Sequence, residues 1–166
     1  MAKNPGMSPI DFHFGLGAII PSKQPRYSTD GKTITSRPDG ASLSDFKLVI
    51  ERFLEPRLQE SKQFPSKNEI FVMIIQFFVG QTEYKRRDLD NMAKTMLDVL
   101  KSKFYHDDGQ VKTLLVSKRI DRRIPENFAY IAITEIKGGN EVDIIKQSGL
   151  ERSIIYYQEL KSKHGI

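Results

Sequence analysis

The groups in this chain whose types and spacing could do chemistry are three carboxylates, Asp88, Asp90 and Asp108, and one lysine, Lys94. Carboxylates aimed at one point repel one another unless a divalent cation lies among them, and an all-oxygen donor set suits Mg2+ or Mn2+. Such a cation can orient a phosphate, lower the pKa of an attacking water and offset charge on a leaving oxygen. A lysine beside it can hold a phosphate oxygen or position the water, because its charge is compact and its stem flexible. Each piece also has an ordinary structural reading. Asp88 or Asp90 can be the N-cap of a helix, and an aspartate pair before a glycine, as at Asp107-Asp108-Gly109, is common in turns. The residues alone leave both readings open.

Positioning these groups falls to the elements on either side. Residues 70–78 are rich in β-branched and aromatic side chains and apolar on both alternating faces, which predicts a central strand. Met92, Met96, Val99, Leu100 and Phe104 fall on one stripe, which predicts a helix from Asn91 to about Ser102. Between the two, extended backbone would point Asp88 and Asp90 the same way. Lys94 then lies one helical turn beyond Asp90 and on the same side. Residues 111–117 and 128–136 read as two strands joined by a basic hairpin loop, 118–126. If the first of these lies beside the strand ending at Val79, Asp108 can approach the aspartate pair.

Toward the N-terminus, Phe12, Phe14, Leu16 and Ala18 alternate with small or polar residues, the pattern of a half-buried strand that Pro21 ends. Residues 21–41, with their prolines, glycines and basic side chains, read as a loop with a short extended piece around Ile34. Ser42 ahead of Asp45 resembles a capping box. Phe46, Val49, Ile50, Phe53 and Leu54 then follow at helical spacing as far as Pro56, which should end or kink the helix. Gly138 and Gly139 close the last strand, and Leu150, Ile154, Tyr157 and Leu160 suggest an amphipathic C-terminal helix. This order predicts an α+β single domain, a small mixed β-sheet with two main helices packed on it plus a C-terminal helix. Residues 1–10 read as a flexible N-terminus, 11–137 as the domain and 138–166 as a C-terminal helical extension.

With 166 residues and 39% hydrophobic content, the chain can bury a core of its own. It has no cysteine, which excludes disulfides and thiolate metal sites and agrees with a reducing cytoplasm. No signal-peptide core is visible. The longest apolar run is broken by Gln76 and reaches only about half the length of a membrane span, so a soluble, cytoplasmic protein is expected. The net charge is +5, and the stretch from Lys85 to Arg123 carries all of it, with eleven basic and six acidic residues. A positive field so concentrated is expected where a polyanion docks, and a solvated basic face is its plain alternative.

The stretch Lys85-Arg-Arg-Asp-Leu-Asp-Asn-Met-Ala-Lys94, followed by Phe104-Tyr-His-Asp-Asp-Gly-Gln-Val111, closely resembles the RusA-type Holliday junction resolvases. In that family a basic run, an Asp-Leu-Asp-Asn motif, a lysine one turn later and an Asp-Asp-x-Gln-Val element occur in this order and at this spacing. The likeness is specific over these two segments and looser over residues 12–136. It implies an endonuclease domain over 11–137, with Asp88, Asp90 and Asp108 as catalytic carboxylates and metal ligands and Lys94 as the catalytic lysine. Asp107 takes a supporting role. It further implies Mg2+ dependence, with Mn2+ as a substitute, and a homodimer that nicks a four-way DNA junction at two sites during recombination and repair. A two-fold axis supplies two equivalent sites. A broader branched-DNA or flap nuclease, and a DNA-binding module without catalysis, are the other readings. Lys85, Arg86 and Arg87, and the loop residues Arg119, Arg122 and Arg123, would contact phosphates. His106 and Asp98 read as solvent-facing, Phe104 as core, and Tyr105 as a candidate for stacking on junction bases.

Overall fold

The computed structural model describes residues 10–21, 27–29, 34–36, 39–147 and 150–164. In chain order these form β1 (Phe12–Leu16), β2 (Tyr27–Thr29), β3 (Ile34–Ser36), α1 (Asp39–Gln59), β4 (Ile70–Phe77), α2 (Gln81–Arg86), α3 (Leu89–Leu100), β5 (Val111–Arg119), β6 (Phe128–Glu135), α4 (Glu141–Gln147) and α5 (Leu150–His164). Residues 1–9 of the expected N-terminal lead-in lie outside the described residues. Where a loop with one extended piece was expected, β2 and β3 pair with each other as a separate antiparallel ribbon.

The main sheet has the order β1-β6-β4-β5, antiparallel except for the parallel pair β4–β5. Strand β4 is buried from end to end because its side chains are apolar on both faces and each face is covered. On one face Val72, Ile74, Ile131 and Ile133 pack against Ile50 and Leu54 of α1 and Met92, Met96, Val99 and Leu100 of α3. On the other, Phe71, Met73, Ile75 and Tyr130 meet Ile144 of α4 and Ile154 and Tyr157 of α5. Each fully buried side chain of this size contributes about 2 kcal/mol. The architecture is therefore α+β, a small mixed sheet between two helical layers.

Three details differ from the expectation. Strands β5 and β6 are not a hairpin, because β4 lies between them and residues 120–127 cross over its end. The reason is hydrophobicity. Strand β6 is buried at every position and belongs inside the sheet, whereas β5 carries Lys112, Lys118 and Arg119 and forms an edge. Helix α1 starts before Ser42 and continues through Pro56. Its inward stripe is narrower than predicted, since Val49 and Phe53 are 63% and 49% exposed. As expected, β6 is closed by glycines, Gly138 and Gly139, with φ of 55° and 78° in the left-handed region that a side chain disfavours. Among the described residues no helix is long and apolar enough to cross a membrane.

Candidate active site

After β4 ends at Phe77, Gly80 opens α2 and Arg87 caps it, which leaves Asp88 in extended backbone (φ −90°, ψ 131°) as the N-cap of α3. The expected extended run through Asp90 is only half realised, because Leu89 already opens the helix and Asp90 lies in its first turn. The helix begins this early because Leu89 and Met92 can join the apolar face it buries. Asp88, Asp90 and Lys94 are all exposed. Asp88 occupies the cap position without capping. Its side chain makes no cap hydrogen bond and instead accepts a 3.4 Å bond from Asn91 Nδ2. The N-terminal end of a helix dipole favours negative charge and offsets part of the repulsion between the two aspartates.

The segment leading to Asp88 is anchored by Lys118 at the end of β5. Its ammonium donates to the carbonyls of Tyr84 at 2.7 Å and Arg87 at 3.1 Å, and lies 4.5 Å from the centroid of the Tyr84 ring. Arg87 and Arg86 both engage Glu83, at 3.0 and 3.3 Å, while Lys85 is exposed on α2.

The second acidic pair divides its roles. Asp107 takes the structural one, accepting from Gly109 N–H and forming a capping box with Gln110 around a single turn of 3-10 helix, Asp108–Gln110. The Gln110 side chain makes four hydrogen bonds. Its Oε1 accepts from the N–H groups of His106 and Asp107 at 2.7 and 2.9 Å, and its Nε2 donates to the carbonyls of Ser66 and Asn68 at 2.7 and 2.9 Å. This leaves Asp108 facing outward with 70% of its side chain exposed, 3.6 Å from Lys101 Nζ. Tyr105 is fully buried, not available for stacking on bases, and its hydroxyl donates to Leu97 O at 2.8 Å. Burial, then the nearby Asp108 charge, pushes its phenol pKa up. Phe104 is core, and His106 and Asp98 are exposed, as expected.

These positions separate the three carboxylates. Asp88 is the N-cap of α3 and Lys101 its C-cap, and thirteen residues of helical rise amount to about 20 Å. Asp108, held beside Lys101, therefore stands at the far end of the helix from Asp88, Asp90 and Lys94. The sheet says the same. Strand β5 does lie beside β4, but parallel to it, with Val111 opposite Ile70 and Arg119 opposite Phe77. Residues just before β5 thus sit at the start of β4, whereas Asp88 follows its end. Among the described residues, no group of three or more His, Asp or Glu is close enough to hold a metal ion.

The basic residues gather at the aspartate-pair end. Phe78 N–H donates to Arg119 O at 2.9 Å and Val79 N–H to Asn127 Oδ1 at 3.0 Å, so the 120–127 crossing passes over the end of β4. Buried Ile124 pins it there. Arg123 forks onto Asp121 through Nε at 3.0 Å and Nη2 at 2.9 Å, and this side-chain bonding, with the Arg123 backbone N–H, holds the Asp121 carboxyl down at about 2. Arg119 Nε donates to Ser117 Oγ at 3.1 Å, and Arg122 is exposed.

Two residues that organise this region carry no role in the sequence reading. Gln110 could have been found, because Asp107-x-x-Gln110 is itself a capping-box pattern. Lys118 could not, since a lysine ending an edge strand ordinarily signals only protection of that edge. The protein-family model described as endodeoxyribonuclease RusA matches residues 17–133, a span that takes in all of these groups. No curated protein matches the chain.

Proposed function

Because the chain belongs to the RusA endodeoxyribonuclease family, we propose that it is a structure-specific endonuclease that resolves four-way DNA junctions by metal-dependent phosphodiester hydrolysis. It acts in the cytoplasm, as a homodimer, in recombination and repair. The observation that carries this reading is the state of Asp88. A structural aspartate at an N-cap would bond the helix backbone, and this one does not. It stands instead beside a second exposed carboxylate and a lysine, at the end of the sheet where Lys85, Arg86, Arg87, Arg119, Arg122 and Arg123 collect.

Asp88 and Asp90 would hold Mg2+, with Mn2+ as a substitute, and their all-oxygen donors suit either ion, while Asp108, the third ligand that the family resemblance implies, stands at the other end of α3 in this chain. When bound, the ion supplies the charge that orients the scissile phosphate and acidifies the attacking water. Lys94 Nζ donates to a non-bridging oxygen of that phosphate and steadies it through the displacement. The surrounding lysines and arginines contact phosphates away from the scissile bond and fix the register of the junction. Asp107 supports Asp108 through the turn it caps. Residues 11–137 form the nuclease unit, and 138–166 brace its other face through Ile144, Ile154 and Tyr157.

The test is incubation with a synthetic four-way junction, a flap and a linear duplex, each with and without Mg2+. Paired, Mg2+-dependent nicks in the junction are expected. Equal cleavage of the flap indicates a broader branched-DNA nuclease. Junction binding with no cleavage in Mg2+ or Mn2+ would leave a binding module and defeat the catalytic reading.

A further inference from the structure

The crossing 120–127 carries Arg122 and Arg123, both exposed, over the end of β4. Its first half is organised by the turn at Asp121, where Ile124 N–H donates to Asp121 O at 3.1 Å and Arg123 forks onto the carboxylate. Its second half is held by the C-terminal helix. Tyr157 of α5, only 5% exposed, packs edge-on against Phe128 with ring centroids 5.1 Å apart and donates its hydroxyl to Glu126 Oε2 at 2.8 Å. One helical turn later, Lys161 Nζ donates to the same oxygen at 2.9 Å and lies 5.6 Å from the centroid of the Tyr157 ring. Both bonds end on a carboxylate and belong to the stronger, charge-assisted kind. Ile124, buried in the same cluster as Ile154 and Tyr157, adds an apolar anchor. The two arginines therefore stand between the turn and its fastening to α5.

Glu126 also has the wrong sign for a surface that meets phosphate. A bare carboxylate four residues from Arg122 would repel the anion that the arginine attracts. Lys161 offsets that charge where it stands. The crossing lies inside the span 17–133 matched by the family model, whereas Tyr157 and Lys161 lie beyond it.

We propose that α5 is a clamp on the DNA-contact surface, with Tyr157 and Lys161 holding Glu126 and, through it, setting where Arg122 and Arg123 meet phosphate. These three are positioning residues that act on affinity for DNA and not on the hydrolytic step. That the anion is DNA rests on the endonuclease reading; the clamp itself does not.

Amide hydrogen exchange of the free, full-length protein reads the clamp alone. In Tyr157→Phe combined with Lys161→Ala, the N–H groups of Ile124 and Val79, bonded within the crossing and to Asn127, should exchange about tenfold faster while those of α3 keep their wild-type protection. Unchanged exchange at both overturns the clamp, and an equal rise in α3 makes the two side chains general supports of the fold. Gel shifts with a synthetic four-way junction then test the consequence. The double variant should raise Kd by about tenfold as the cost of ordering the crossing moves into binding, and single-turnover cleavage at saturating junction should stay at the wild-type rate. Lys161→Arg should bind as wild type does. A saturated rate that falls with no change in Kd refutes the positioning role. Glu126→Lys separates geometry from net charge, because it replaces a negative charge by a positive one yet sets two lysines against each other. Weaker binding is expected, and tighter binding would mean that charge alone governs this surface and would sink the proposal. If wild type binds no junction, the endonuclease reading falls together with the role in DNA binding, and the exchange result still decides whether α5 clamps the crossing.

Discussion

Gln110→Ala removes the side chain that holds the Asp108 turn in place, and its cost can be worked from four hydrogen bonds. Two are accepted from the exposed N–H groups of His106 and Asp107, which water can satisfy after the change. The other two are donated to Ser66 O and Asn68 O, and they fasten the turn to the segment that enters β4. At about 1 kcal/mol for the part-buried bond to Ser66 O and a few tenths for each of the three exposed ones, the loss is about 2 kcal/mol. For a chain of this length that corresponds to a fall in Tm of about 4–8 °C. Urea unfolding followed by circular dichroism should show a lower midpoint with an unchanged slope. Single-turnover cleavage at saturating junction should fall further than junction binding, because the turn carries Asp108. Gln110→Glu should be worse at neutral pH, since it turns an acceptor toward two carbonyls beside Asp107 and Asp108, and should recover on acidification, when the protonated acid regains a donor. Wild-type midpoint and turnover in Gln110→Ala would refute the reasoning.

Asp88→Asn, Asp90→Asn and Asp108→Asn should each abolish cleavage while junction binding, measured by gel shift, stays intact or tightens as repulsion of phosphate is relieved; joint loss of folding and binding would make these residues structural. Lys94→Ala should slow single-turnover cleavage by orders of magnitude with a modest loss of affinity, and Lys94→Arg should not fully restore it; cutting at the wild-type rate removes Lys94 from the reaction. Replacing Arg119, Arg122 and Arg123 together with alanine should flatten the slope of log affinity against log salt by about 0.9 for each phosphate no longer neutralised. An unchanged slope would route the DNA along Lys85 to Arg87 instead. Burial, then the charges of Arg57 and Arg152, hold the His13 imidazole down at about 4 from its usual 6.5. The unfolded chain therefore binds the extra proton between these values, so stability should rise with pH across that window and be lost as pH falls through it. His13→Gln should lessen this dependence in urea titrations, and parallel curves for the two proteins would exclude His13 as its source.

The central strand and the helix after it are legible in the sequence because burial imposes a pattern. Strand β4 is apolar at both parities, and Met92, Met96, Val99 and Leu100 return at helical spacing. Strand order is less so. Sequential strands usually pair, which makes 111–117 and 128–136 look like a hairpin. The apolar Phe128–Glu135 and the lysine-bearing Val111–Arg119 already differ as interior and edge strands do. The proximity of Asp88, Asp90 and Lys94 follows from local spacing. The separation of Asp108 does not, because nothing in a strand's own residues tells its direction. That direction is set by the α2–α3 crossover, and α2, six mostly polar residues, carries no periodic signal. Nor does any sequence feature reveal that the N-cap aspartate leaves its helix uncapped while Asp107 caps its own turn.

Helix α3 has a metric role beside its role as a cover for the core. At 1.5 Å of rise per residue, the number of residues between Asp88 and Lys101 sets how far apart the two acidic groups are held, and one added turn would shift them by about 5.4 Å. The apolar face would stay roughly in phase through such an insertion, so the fold could absorb it. The spacing of the carboxylates could not. A surface helix normally tolerates variation in length more readily than loss of its apolar stripe. Here the ordering is reversed, and α3 works as a gauge in which exposed positions other than Asp90 and Lys94 can drift in identity while the residue count cannot.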